Sequence, residues 1–308
     1  MNCMGQIVAG FRSAALAGLA AALLTGCAWW DVKQRQLALR PTPGVPPPGV
    51  QWQPGDTRYS LLVPVGDGSA RTEALALWWL PHANPQAPTL LYLHGTFRHL
   101  GQNLPKIDAL REAGFAVLAV DYRGWGESEA IVPTEDSIHA DARTAWEELR
   151  HRQPQPGRRV IFGHSMGGAV AVALASELQQ GRDYGALILE STFTRMPDVA
   201  AAAGFWGRLA ASVSSLEFDS LSRVARVDAP LLMLHGTADH TVPVELGRRL
   251  RDAARPGVRW VEIPGGTHSR LHSEAPGVYR QALRELMALL EPVAPTSSPA
   301  APVPAARP

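Results

Sequence analysis

Arg159-Val160-Ile161-Phe162-Gly163-His164-Ser165-Met166-Gly167-Gly168-Ala169-Val170-Ala171-Val172 passes from one structural period to another within a few residues. Arg159–Phe162 is a short run, mostly apolar and partly β-branched, consistent with a strand buried on both faces. Ala169–Leu178 is rich in small apolar residues and suits a buried helix. Between them lies Gly163-His164-Ser165-Met166-Gly167, the pattern G-x-S-x-G. In a strand–turn–helix setting this is a turn so tight that the serine takes a strained backbone conformation and exposes its hydroxyl. Side chains at Gly163 and Gly167 would collide with the neighbouring helix and strand. The serine also stands at a helix N-terminus, whose free N–H groups favour developing negative charge. Ser165 is therefore the candidate nucleophile.

Around this turn, β-type runs alternate with helical patterns. Tyr59–Val65 and Ala74–Leu80 read as an antiparallel pair around a Gly66-Asp67-Gly68 turn. Thr89–Leu93, Phe115–Val120, Ala186–Leu189, Leu231–Leu234 and Val258–Ile263 are further short strands. Helical candidates lie at 103–113, 135–151, 166–180, 220–226, 243–255 and 272–290. The alternation predicts an α/β class with a mostly parallel sheet covered by helices on both faces.

Two further residues complete a chemical pattern. Asp239, in His235-Gly236-Thr237-Ala238-Asp239-His240, follows the Leu231–Leu234 strand. His268, in Pro264-Gly265-Gly266-Thr267-His268-Ser269, follows the last strand. The chain order Ser, Asp, His, with each member at a strand's C-terminal end, fits a nucleophile, an orienting acid and a base. Glu190, at the end of Ala186–Leu189, is the runner-up for the acid. His94-Gly95-Thr96-Phe97 closes the Thr89–Leu93 strand, so the N–H of Thr96 (or Phe97) and that of Met166 are candidate oxyanion donors. His94 reads as a residue that bonds its own loop. His82, His99, His139, His151 and His272 lack metal-ligand spacing, so no metal site is expected.

These motifs resemble the α/β-hydrolase superfamily over roughly 57–291, and within it the branch described as BEM46-like or serine-aminopeptidase (S33)-like. The resemblance rests on His94-Gly95, the loop Asp121-Tyr122-Arg123-Gly124-Trp125-Gly126-Glu127-Ser128, Gly163–Gly168, Glu190-Ser191 and His235–Asp239. It implies an α/β-hydrolase fold with a short lid insertion between Glu190 and Asp219. It also implies hydrolysis of ester, thioester or amide bonds on a small-molecule acyl substrate, without metal or organic cofactor. Asp121 and the loop after it would brace the site. Many relatives carry glycine or asparagine where Thr96-Phe97 stands here. An acyltransferase, an aminopeptidase and, from another class, a non-catalytic binding lipoprotein remain alternatives. The short, Ala/Gly/Ser-rich lid predicts a preference for short-to-medium acyl groups.

Composition bounds the rest. Hydrophobic residues make up 46% and charged residues 19%, enough for a large core. The 29 basic residues nearly balance the 28 acidic ones, leaving a formal charge of +1 and no electrostatic reason for a nucleic-acid partner. Ser13–Leu24 is an apolar run of about 12 residues, too short for the ~20 that a membrane span needs. It is followed by Leu24-Thr25-Gly26-Cys27, which resembles the lipobox of bacterial lipoproteins. The expectation is a signal peptide over 1–26, lipidation at Cys27 and a Pro-rich tether over 27–56. Membrane association through that anchor would place the domain in a bacterial cell envelope, on the periplasmic side. Ala28, not aspartate, follows Cys27, which favours the outer membrane. Residues 292–308 read as a disordered Pro/Ala-rich tail. Cys3 would be removed with the signal peptide, leaving no thiol for a disulfide or a cysteine-based metal site.

Overall fold

The structure is a computed structural model that describes residues 26, 28–46, 50–65, 68–96, 98–212 and 214–290. Eight strands form one sheet: β1 (Thr57–Pro64), β2 (Thr72–Leu80), β3 (Thr89–Leu93), β4 (Ala116–Val120), β5 (Arg159–His164), β6 (Ala186–Glu190), β7 (Leu231–Gly236) and β8 (Arg259–Ile263). Their spatial order is β1-β2-β4-β3-β5-β6-β7-β8. β2 runs antiparallel to both β1 and β4, and every later pairing is parallel.

The central strands are buried along their whole length, which explains their unbroken apolar sequences. Alternate residues serve opposite faces. Leu91, Leu93, Leu118, Val120 and Ile161 pack with Trp146 and Leu149 of α3 (Glu135–Arg152) and with α4 (Met166–Ala175). Leu90, Tyr92, Val117, Ala119 and Phe162 pack with α2 (Leu100–Glu112) and α9 (Pro276–Ala288). α2 links β3 to β4 and α3 links β4 to β5, on the other side of β3. Right-handed crossovers in opposite directions send these helices to opposite faces and leave a crevice at the C-terminal ends of β3 and β5.

The elements depart from the sequence reading in a few places. The helix expected over 166–180 ends at Ala175. It is buried on every side, and the polar run Glu177-Leu178-Gln179-Gln180 cannot follow it into the core. The helix expected over 272–290 divides into α8 (Leu271–Glu274) and α9, because Pro276 lacks the N–H that a continuous helix needs and instead starts a new one. Residues 220–226 form only a short 3₁₀ turn, Val224–Arg226.

The segment expected as an extended tether is partly helical. Residues 28–39 form a helix, α1, that ends just before Pro41. The i,i+4 pair Asp31–Arg35 supports it, and Leu39 is fully buried. Arg35 donates to the carbonyls of Val132 and Pro133, and Gln34 and Asp31 bond Ser215. Beyond it, Gly44 N–H donates to Gly126 O and Gly126 N–H to Thr42 O. The prolines start later than the tether was drawn, so helix-forming residues precede them. Between β6 and Asp219 the lid consists of two short helices, α5 (Met196–Ala202) and α6 (Phe205–Ser212).

Candidate active site

Ser165 lies between β5 and α4 with φ 55° and ψ −122°. A left-handed φ at a residue with a side chain costs roughly 1–3 kcal/mol and persists only where the surroundings enforce it. Here they do. A Cβ at Gly163 would stand 2.3 Å from Gly167 O, and one at Gly167 would stand 2.1 Å from Leu93 O. The start of α4 is thus pressed against β5 and β3 at a distance that only glycine permits. Met166 is the first residue of α4, so its amide has no partner inside the helix. The Ser165 N–H donates to Glu190 O, 2.9 Å, which ties the turn to the end of β6.

Ser165, His268 and Asp239 meet in one chain of contacts. The Ser165 hydroxyl lies 3.0 Å from His268 Nε2, and His268 Nδ1 lies 2.7 Å from Asp239 Oδ2. The other carboxylate oxygen of Asp239 accepts from Thr241 N (2.9 Å) and Val242 N (2.8 Å). Burial pushes the Asp239 carboxyl up, but hydrogen bonds from His235 and His268 and from the Val242 amide outweigh it and hold the group ionised well below the usual range. An ionised carboxylate fixes the His268 tautomer with the proton on Nδ1. That leaves Nε2 free to accept from Ser165.

Two residues of the same motifs support this chain and were not singled out from sequence. His164 donates through Nε2 to the backbone carbonyl of His268, 2.9 Å, joining the serine turn directly to the histidine loop. His235 donates to Val242 O, 2.9 Å, and its Nε2 lies 3.4 Å from Asp239 Oδ2. Burial lowers His164 far below the ordinary histidine range, so it stays neutral and keeps that single donor role.

Glu190 has other partners. Its carboxylate pairs with Lys106 and accepts from the Tyr279 hydroxyl, 2.8 Å, all three side chains being buried. The sequence held a signal for this: Lys106 is one of only two lysines in an arginine-rich chain, and it sits beside apolar Ile107 and Leu110. His94 donates to Gly95 O, 2.6 Å, as a loop-bonding residue would. Asp121 accepts from Leu100 N, 2.8 Å, and faces His94 Nε2 at 3.5 Å. Thr96 borders Ser165 together with Gly95 and Asn103, whereas Phe97 lies outside the described residues. Cys27 lies outside them too.

The cleft directly at Ser165 is small, about 10 Å³, and is lined by Gly95, Thr96, Arg98, Asn103, His164, Ser165, His268 and Ser269. A larger one of about 280 Å³ adjoins it and shares Arg98, Asn103 and Ser269. Among the described residues, no group of three or more His, Cys, Asp or Glu is placed to hold a metal ion.

A family model described as serine aminopeptidase, S33, matches residues 84–222. An uncharacterised protein of Mycobacterium tuberculosis is 34% identical over 239 residues, which cover 77% of this chain and 81% of that protein. The chain belongs to the α/β-hydrolase superfamily. This α/β hydrolase is also similar to the zebrafish lysophosphatidylserine lipase ABHD12, 33% identical over 208 residues, with 62% of this chain and 54% of that protein covered. Its fold is that of the Pyrococcus furiosus esterase Pf2001, with a TM-score of 0.60 at 20% identity, covering 79% of this chain and 98% of that one.

Proposed function

We propose that this α/β hydrolase is a serine esterase in which Ser165 attacks the substrate carbonyl, His268 is the base and Asp239 orients it. The observation that carries the reading is the continuous Ser165–His268–Asp239 contact chain, 3.0 and 2.7 Å, at a strained serine. The Ser165 proton passes to His268 Nε2 as the Oγ–carbon bond forms. Asp239 stabilises the resulting imidazolium, and the oxyanion is received by the backbone N–H groups of Thr96 and Met166. His268 then protonates the leaving alcohol. Water, deprotonated by His268, releases the acid from the acyl-enzyme.

Ester is favoured over aminopeptide by the charge around Ser165. An aminopeptidase needs a carboxylate near the nucleophile to hold the substrate's α-ammonium. The small cleft at Ser165 and the larger one beside it are lined by Arg98 and Arg270 and by no aspartate or glutamate among their described residues. The names of the similar lipase and esterase point to ester chemistry as well. Turnover of p-nitrophenyl esters of graded chain length beside peptide p-nitroanilides tests the assignment. Ester cleavage without release of p-nitroaniline is expected, and the opposite pattern would overturn it. An acyltransferase uses the same residues, and product analysis with added alcohols separates it from a hydrolase.

The sequence also supports a lipid anchor at Cys27 and a place in the bacterial envelope, outer membrane favoured. Acyl chains on Cys27, found by mass spectrometry of the native protein and lost in Cys27→Ser, are the expected result. An unmodified Cys27 in the mature chain would end the idea.

A further inference from the structure

Arg270 borders the 280 Å³ cleft beside the serine, and nothing in the acyl-transfer reading uses it. Arg98, Asn103 and Ser269 line both this cleft and the small one at Ser165, so the two lie side by side. The floor carries Lys106, whose charge is matched by Glu190 beneath it. His272 also lines the cleft, and burial lowers it below the ordinary histidine range, so it is neutral at pH 7. Its Nδ1 is a buried polar atom without a hydrogen-bond partner. A second acid, Glu274, four residues after Arg270 and attracted by its charge, lies off the cleft lining, with both carboxylate oxygens accepting from Thr267, through its N–H and its hydroxyl. Among its described residues the lining thus carries the side chains of Arg98, Arg270 and the Glu190-paired Lys106, and no carboxylate. Guanidinium groups recognise phosphate and carboxylate oxygens through paired N–H donors.

We infer that this cleft binds the anionic end of the substrate, a phosphate or carboxylate separated by a few bonds from the ester held at Ser165. The proposal rests on the serine esterase reading and narrows it to esters that carry a negative charge. A cleft beside the nucleophile positions such an ester by its charged end and needs no long apolar tunnel. Charge-assisted hydrogen bonds also give discrimination where the substrate's carbon chain is short.

Two matched pairs of substrates test it. On the acyl side the pair is the mono-p-nitrophenyl ester of adipic acid against p-nitrophenyl hexanoate. On the alcohol side it is hexanoyl glycerol phosphate against hexanoyl glycerol. The charged member of at least one pair is expected to have a kcat/KM about 10-fold higher or more, the size of one or two charge-assisted hydrogen bonds. The pair that shows the preference tells which side of the ester carries the anion. That ratio should fall towards one in Arg270→Gln and recover in part in Arg270→Lys. Because each ratio is measured on one protein, a poorly folded variant cannot imitate the result. A wild-type ratio near one in both pairs, or a ratio untouched by both Arg270→Gln and Arg98→Gln, overturns the inference. Glycerol phosphate titrated calorimetrically into Ser165→Ala protein gives a readout independent of turnover. Binding that Arg270→Gln weakens supports the cleft even if no ester is cleaved, which would sink the esterase reading alone, and absence of binding counts against the cleft.

Discussion

Asp239 and Glu190 both stand at the ends of neighbouring strands, and their partners separate them. Asp239 touches His268, while Glu190 is engaged by Lys106 and Tyr279. Asp239→Asn should therefore lower kcat by up to about ten-thousandfold, the scale of losing the correct imidazole tautomer. Glu190→Gln should act on stability far more than on turnover. It leaves the Lys106 charge buried without its partner, a loss on the order of 3–5 kcal/mol, while turnover per labelled serine changes far less. Denaturant unfolding and kcat normalised to fluorophosphonate-reactive protein distinguish the two, and a larger kcat loss in Glu190→Gln would reverse the assignment. Ser165→Ala should abolish both turnover and labelling yet retain the fold, since the hydroxyl fills no core space. Labelling equal to that of the unaltered protein would refute Ser165 as the nucleophile.

At the scale of elements, the strands, the order of the three candidate residues and the serine turn were legible because each is written locally. A doubly buried strand reads as an apolar run, and a close backbone approach reads as glycine. Gly167→Ala tests that approach: its Cβ would meet the carbonyl of Leu93, which belongs to a central strand and cannot retreat. A loss of about 1–3 kcal/mol or more is expected in chemical denaturation, together with reduced activity, and a neutral effect would show that the turn is looser than described. What was not legible depends on contacts distant in sequence. No local pattern announces that Lys106 reaches Glu190, that His164 reaches the His268 carbonyl, or that residues 28–39 coil and dock instead of trailing. The lid remains short, α5 and α6 only, and the space at Ser165 is small. Since each added CH₂ gains about 0.8 kcal/mol only when it is buried, kcat/KM should stop rising by about ten acyl carbons. A continued climb beyond that length would reveal an apolar channel.

For the whole molecule, two buried groups behind the site contribute to how stability varies with pH. Burial raises Asp121 from 3.8 to about 8 and lowers His94 from 6.5 to about 4, so both are neutral in the folded protein at mildly acid pH. The folded state holds a proton on Asp121 that the unfolded chain releases above pH 3.8, so this group's stabilisation is lost as pH rises towards 8. His94 acts oppositely, since below 6.5 the unfolded chain binds a proton that the folded state refuses. Between about 4 and 6.5 the two offset each other, and above 6.5 Asp121 prevails. Stability should fall by about 2 kcal/mol at most between pH 6.5 and 8. The fall should vanish in Asp121→Asn, as followed by unfolding midpoints across that range. A variant that keeps the same slope would assign the effect to another group.

The docked α1 also changes how a load on the N-terminal end is carried. Asp31, Gln34 and Arg35 fasten the helix at Ser215 and at the carbonyls of Val132 and Pro133, and Leu39 is sunk into the core. Tension applied to the helix meets these contacts in shear before it reaches the strands of the sheet. The segment is a rigid bracket. A spin label at exposed Leu37 on this helix would tumble at the rate of the whole molecule instead of wobbling on its own.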